Sequence, residues 1–185
     1  EWGQPVRLAG VNWFGFETTN FAPHGLWSRG YVEMMNQMKA EGFNTIRLPY
    51  SDELFDAGST PNGIDFSKNP DLESLSGLEI MDRIVAQADE LGMRVILDHH
   101  RSEAGNSANE SGLWYSAEYP ESVWIENLTQ LATRYANNSS VVGIDLHNEP
   151  HGPATWGDDS ANDWRLAAER AGNAVLAANP DLLII

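Results

Sequence analysis

The chain has 185 residues, 42% of them apolar, which allows one domain with a sizeable core and argues against disorder. Its net charge of −16, with only two lysines (Lys39 and Lys68), opposes binding to a phosphate backbone, so nucleic acid is not an expected partner. The lack of cysteine removes disulfides, thiolate catalysis and Cys-based metal sites, and no apolar run approaches the roughly 18 residues of a membrane span.

Short apolar runs alternate with longer amphipathic ones. Val6 to Phe14 reads as a strand. Ser28 to Glu41 reads as a helix with Ser28 as its cap, Tyr31, Met34, Met35 and Met38 on one face, and Gly42 as its stop. Phe43 to Pro49 is a second strand, followed by a polar loop from Ser51 to Ser76. The second helix is expected over Gly77 to Leu91, striped by Met81, Ile84, Val85 and Ala88 and ended by Gly92. Met93 to Asp98 is the third strand, and a long loop follows to about Glu118. The third helix spans Pro120 to Tyr135 and the fourth strand Val141 to Leu146. A Gly- and Asp-rich loop leads to a fourth helix, from about Asn162 to Ala178, which Pro180 prevents from continuing. Leu182 to Ile185 reads as a fifth strand.

Successive βα units imply parallel strands, because each helix returns the chain across the sheet. Helix-to-strand links are as short as one glycine. Strand-to-helix loops are long and hold the aromatics, histidines and carboxylates. That asymmetry predicts an α/β fold of the (β/α)8-barrel type, with the site at the carboxyl ends of the strands. A doubly wound open sheet is the alternative, but no Gly-rich phosphate turn follows any of these strands.

Glu149 follows the fourth strand and precedes Pro150, which is expected to hold it extended on a stiff backbone. A carboxylic acid presented there suits protonation of a glycosidic oxygen; the competing reading is a loop or helix-capping Glu. Asn148 carries an amide able to bond a sugar hydroxyl. Arg47, mid-strand among apolar neighbours, requires a carboxylate partner, and sequence alone identifies none. Of His99 and His100, adjacent strand residues pointing to opposite sides, only one is expected to face the cleft. A hydrogen-bonding role is preferred there to metal ligation, since no helical His-x-x-x-His pair accompanies them. His24 and His151 lie in strand-to-helix loops, and His147 is open to core or cleft. Seven Trp are many for this length. Trp13, Phe14, Trp27, Trp114, Tyr115 and Trp156 fall at or after strand ends, where packing and stacking on a sugar face are both open. Trp124 and Trp164 belong to helix stripes and are expected in the core.

These residues carry a resemblance. Gly10-Val11-Asn12-Trp13-Phe14-Gly15, His24-Gly25-Leu26-Trp27-Ser28-Arg29, Asn44-Thr45-Ile46-Arg47-Leu48-Pro49-Tyr50, Ile96-Leu97-Asp98-His99-His100-Arg101 and Val142-Gly143-Ile144-Asp145-Leu146-His147-Asn148-Glu149-Pro150 together resemble glycoside hydrolase family 5, particularly its bacterial endo-β-1,4-glucanases. The resemblance covers nearly the whole chain and implies a retaining enzyme with no catalytic metal or cofactor. It implies Glu149 as acid/base, Arg47 as the arginine contacting the nucleophile, Asn148 as the residue binding the 2-hydroxyl of the cleaved sugar, and His100 as a cleft histidine. It implies Trp27 as a sugar platform, and His24, Tyr50, Trp114, His151 and Trp156 are further candidates for substrate contact. Similar enzymes carry cysteines in the loops around Thr19, Ala104 and Trp156, and this chain does not, so other contacts are expected to hold those loops.

The family nucleophile lies at the end of strand seven. Residues 1–185 are therefore expected to be the N-terminal half of a single catalytic barrel, four βα units plus the start of strand five. A complementary C-terminal half would complete it, and without that half the chain is expected to be inactive. The expected substrate is a β-1,4-glucan. A β-mannanase or other β-glycanase, and a catalytically incomplete carbohydrate-binding half-barrel, are the alternatives. The opening at Glu1 without a Met is read as removal of an upstream signal, hence secretion, with no membrane partner.

Overall fold

A computed structural model of the chain describes residues 5–107, 109 and 111–185; Glu1 to Gln4, Ala108 and Glu110 lie outside the described residues. The elements, in order, are β1 (Gly10–Asn12), α1 (Tyr31–Ala40), β2 (Thr45–Ser51), α2 (Gly77–Glu90), β3 (Arg94–Arg101), α3 (Glu121–Arg134), β4 (Val141–Asp145), α4 (Trp164–Ala178) and β5 (Leu183–Ile184). Two short 3-10 turns, Asp52–Phe55 and Pro70–Leu72, interrupt the expected loop after β2.

All strand pairs are parallel, and the order across the sheet is the order along the chain, β1-β2-β3-β4-β5. A doubly wound sheet reverses direction at a switch point, whereas a barrel advances one strand at a time. The sequential order is the barrel's.

The short helix-to-strand links have a local cause. Gly42 and Gly92 have φ of 91° and 60°, the left-handed conformation that glycine adopts without a Cβ clash. After α1, the Gly42 N–H donates to Lys39 O at 3.1 Å and the Phe43 N–H to Met38 O at 3.1 Å. After α2, Gly92 bonds Asp89 O at 3.0 Å and Met93 bonds Ala88 O at 2.8 Å. Both are Schellman ends, which satisfy the last carbonyls and aim the chain into the next strand. The start of α2 is equally defined. Ser76 and Glu79 form a reciprocal capping box, and Ile80, Met81, Ile84, Val85 and Ala88 face inward. At α1 the cap position is Gly30 rather than the expected Ser28, and no side chain caps it.

Strand β1 is shorter than the apolar pattern suggested. The Asn44 amide takes the place of ladder bonds there: Asn44 Oδ1 accepts from the Ala9 N–H and Asn44 Nδ2 donates to Arg7 O, each at 2.9 Å. Val6 and Leu8, before β1, are exposed. Strand β3 runs further than expected. Its register with β2 shifts between Tyr50 and Ser51, so Tyr50 pairs with His99 and Ser51 with Arg101. His100 is the extra residue of this bulge.

Candidate active site

Arg47 organises the carboxyl ends of β2, β3 and β4. Its Nη2 lies 3.0 Å from Asp98 Oδ1 and 2.8 Å from Asp145 Oδ2, and it donates to Asn148 Oδ1 at 3.2 Å. Among the described residues, Nη1 reaches only Asn12 Oδ1, at 3.4 Å. Arg47 thus finds its carboxylates within this chain, where the sequence had indicated none. Register explains the convergence, because Pro49, Asp98 and Asp145 are aligned across three neighbouring strands. The contact with Asp98 Oδ1 is an ion pair without hydrogen-bond alignment, since that oxygen has no directed donor among the described residues. Asp98 is fully buried and its Oδ2 bonds His100 Nδ1 at 2.8 Å.

Of the two adjacent histidines, His100 is the partly exposed one beside this cluster and His99 is wholly buried on the opposite face. The carboxyl of Asp145 is raised above its usual range, first by burial and then by the nearby Asp98 charge, against the pull of Arg47. Glu17 is buried close by, and its Oε2 accepts from the Gly15 N–H at 2.6 Å. Burial raises its pKa, while the backbone bonds and His100 draw it back down. Asp98, Asp145, Asn12 and Glu17 were missed by sequence reasoning. A carboxylate ending an apolar run, as in Ile96-Leu97-Asp98 and Ile144-Asp145, was the available signal for two of them.

Glu149 lies four positions beyond the end of β4 and is exposed. The expected extended conformation is not found: its φ is 53°. Tertiary bonds override the preference imposed by Pro150. The His151 N–H donates to Gly112 O at 3.0 Å, and His151 Nδ1 bonds the carbonyl of Glu149 at 2.6 Å. A non-glycine residue held this way costs about 1–3 kcal/mol, and such outliers concentrate at functional sites. Gly112 is required at the contact, since a Cβ there would collide with the His151 carbonyl, and its φ is 72°.

Three loop aromatics gather after β1. The His24 ring meets Phe14 and Trp27 edge-on, with centroids 4.5 and 5.2 Å apart. His24 Nε2 bonds Asn20 Oδ1 at 2.9 Å, and burial lowers its pKa. Trp27 is 54% exposed and Trp156 71%, so both offer open ring faces. Trp114 does not. It is completely buried, packed on Trp124 and Trp164, and its indole N–H donates to Glu121 Oε2 at 2.9 Å. Tyr50 is also wholly buried, between Phe55 and His99. Neither presents a face to a sugar, so their expected role in substrate contact is corrected to packing. His151 is exposed but its ring braces the Glu149 backbone. Trp13 and Trp124 are core, and Trp164 is partly buried against it.

The loops that lack cysteines are held by hydrogen bonds. Asn62 Nδ2 donates to Thr19 O at 2.8 Å, and the Gly105 N–H to Glu17 O at 2.9 Å. In the loop of Trp156, buried Asp163 accepts from the Gly157 and Asp159 N–H groups, each at 2.9 Å. Among the described residues, no group of three or more His, Asp or Glu is placed to hold a metal ion, and no helix is long and apolar enough to cross a membrane.

The cellulase family, glycosyl hydrolase family 5, matches residues 2–185. An endoglucanase of Paenibacillus polymyxa is 53% identical over 100% of this chain and 46% of its own length. The major extracellular endoglucanase of Xanthomonas campestris pv. campestris is 46% identical over 98% of this chain and 37% of its own. The chain therefore spans about half the length, or less, of these curated relatives. The solved catalytic domain of the Xanthomonas enzyme superposes with a TM-score of 0.92 over 98% of this chain and 52% of that one. An endocellulase variant of Pyrococcus horikoshii in complex with cellotetraose gives 0.90 at 43% identity, over 98% and 51%. The five strands are a partial (β/α)8 barrel, and the chain belongs to the cellulase family, glycosyl hydrolase family 5.

Proposed function

We propose that this chain is the N-terminal half of a secreted, retaining endo-β-1,4-glucanase whose remaining strands complete the barrel and supply the nucleophile. One observation carries the reading: Glu149 stands on a strained backbone directly after Asn148, which Arg47 ties to Asp98 and Asp145 at the strand ends. Relatives named endoglucanase, one of them extracellular, and a relative that holds cellotetraose support the substrate class and the compartment.

Glu149 protonates the leaving glycosidic oxygen and then, as carboxylate, takes a proton from the water that hydrolyses the glycosyl-enzyme. Asn148 Oδ1 is occupied by Arg47, which leaves its Nδ2 as the donor to a sugar hydroxyl. Arg47 Nη1, bound only weakly to Asn12, is the face left for the incoming nucleophile and favours its ionised form. With the Nδ1 proton of His100 directed to Asp98, its Nε2 accepts from a sugar hydroxyl. Trp27 and Trp156 provide stacking faces for flanking units.

The test is Glu149→Gln in the completed catalytic domain. Hydrolysis of carboxymethyl cellulose falls by about 100-fold or more, the range for a lost general acid/base, while cellotetraose binding stays within a few-fold. Retained hydrolysis contradicts the assignment. A wild-type domain faster on β-mannan than on β-glucan would move the substrate class and leave the role of Glu149 standing.

A further inference from the structure

Behind the cleft, between the sheet and helices α3 and α4, runs a line of buried polar groups that the proposed mechanism does not use. Asn127 Nδ2, on α3, donates to Asp52 Oδ1 at 2.9 Å. Asp52 Oδ2 lies 3.0 Å from His99 Nε2, and His99 Nδ1 lies 2.9 Å from His147 Nδ1. Asp52 and His99 are fully buried and His147 nearly so, with Tyr50, Trp124 and Trp164 around the two rings. His147 Nε2 is buried and has no partner among the described residues.

Each bond in this line holds one hydrogen, which fixes the tautomers. A carboxylate only accepts, so the hydrogen toward Asp52 is on His99 Nε2. Neutral His99 then offers a bare Nδ1, and the hydrogen between the rings belongs to His147 Nδ1. His147 Nε2 is left as an unfilled acceptor. The opposite order requires a charged His99 and a buried His147 N–H with no acceptor, and an orphaned donor is the rarer and costlier defect.

The line ends where the cleft begins. His147 immediately precedes Asn148, whose own N–H donates to the carbonyl of His99 at 2.9 Å. The Trp124 indole N–H donates to Leu146 O at 2.9 Å. Leu146 is thereby fastened to α3, and His147 and Asn148 to His99 on β3, so the hold reaches the first of the two residues that face the substrate.

We propose that Asp52, His99 and His147 form a positioning relay whose proton order holds the Leu146–Asn148 backbone, and through it Asn148 and Glu149, in register with Arg47. The proposal rests on the reading of Asn148 and Glu149 as site residues. None of the three relay residues touches substrate. They act through the backbone they hold.

Asp52→Asn keeps the shape of the side chain and adds a donor where His99 Nε2 now donates. With its Oδ1 still taken by Asn127, the new Nδ2 faces His99 Nε2 and the relay inverts: His99 becomes the Nδ1–H tautomer and His147 the Nε2–H tautomer, whose buried hydrogen lacks an acceptor, and that cost shifts the Leu146–Asn148 backbone. In the completed catalytic domain, imidazole nitrogen shifts in this variant report both flips. Its kcat on a soluble β-glucan falls about tenfold, the scale of a small misplacement of catalytic groups, while KM stays within twofold. Ile84→Val, a buried change on α2, loosens the core without touching the relay and leaves tautomers and kcat unchanged. Unchanged tautomers in Asp52→Asn, an unchanged kcat, or an equal loss of kcat in Ile84→Val would each overturn the proposal. A wild-type domain inactive on glucan contradicts the reading of the site instead, and the nitrogen shifts alone then decide the relay.

Discussion

Arg47 shows what a single residue gives away in sequence and what it withholds. A guanidinium inside Ile46-Arg47-Leu48 announces that a carboxylate is near, because burial of the charge alone is too costly. Which carboxylates answer is set by the register of β2, β3 and β4, which no local pattern encodes. Asp98 and Asp145 meet at one guanidinium only because three strands align them. Arg47→Met leaves two like charges close together and one of them fully buried, so we expect a loss of about 3 kcal/mol in urea unfolding of the completed domain, the lower end for a broken buried pair. A loss below about 1 kcal/mol would show that water, not Arg47, compensates Asp98. Glu149 and Asn148 were singled out by their place at a strand end, and the structure sets Asn148 against Arg47. The φ of Glu149 was not, since it depends on Gly112 and His151 in a contact between two loops. Gly112→Ala should therefore lower kcat while leaving the cleft aromatics and oligosaccharide binding intact. Unaltered kcat would mean that the left-handed backbone at Glu149 has no catalytic weight.

Elements were more legible than side-chain directions. All four helices and all five strands lie where the periodicity and the glycine stops placed them, to within a few residues. Those signals are local: apolar spacing, a capping serine, a glycine able to take positive φ. The Ser76 capping box is the sharpest of them, and Ser76→Ala should lower stability by about 1 kcal/mol without changing the unfolding slope. The aromatics were less readable, because the same residue type at a strand end serves core or cleft. Trp114 and Trp27 both lie in strand-to-helix loops, yet one is enclosed by Trp124 and Trp164 and the other is open. Alternation along β3 already placed His99 and His100 on opposite sides, but the bulge that leaves His100 without a partner on β2 is a pairing effect invisible to spacing.

At the scale of the molecule, the sheet has two ends to be covered. Val6 and Leu8 precede β1, and Leu183, Ile184 and Ile185 line the β5 side, all of them exposed. Apolar edges of this kind favour pairing with further strands, and the proposed second half of the barrel would cover them. The buried relay also gives the folded state a pH dependence. Burial, aided by the neighbouring His99, holds the pKa of His147 well below 6.5, so the unfolded chain binds its proton first as pH falls. This contribution is complete above the unfolded pKa and is lost as pH drops from about 6.5 toward the folded pKa. Glu17 and Asp145, with pKa values raised by burial, act in the other direction and favour the folded state at lower pH. The comparison must therefore be made between proteins: His147→Asn should unfold with a shallower decline between pH 6.5 and pH 5 than the wild type. Parallel profiles would remove His147 as the cause.

The role of Glu149 is tested most sharply by comparing leaving groups. A general acid matters in proportion to how poor the leaving group is, and a dinitrophenolate leaves without a proton. Glu149→Gln in the completed domain is expected to lose about 100-fold or more on carboxymethyl cellulose. On dinitrophenyl β-cellobioside the same variant should give a near-normal burst of dinitrophenol followed by slow turnover, as the glycosyl-enzyme forms and then waits for its base. Equal losses on both substrates, with no burst, would contradict this pattern and remove Glu149 as the acid/base.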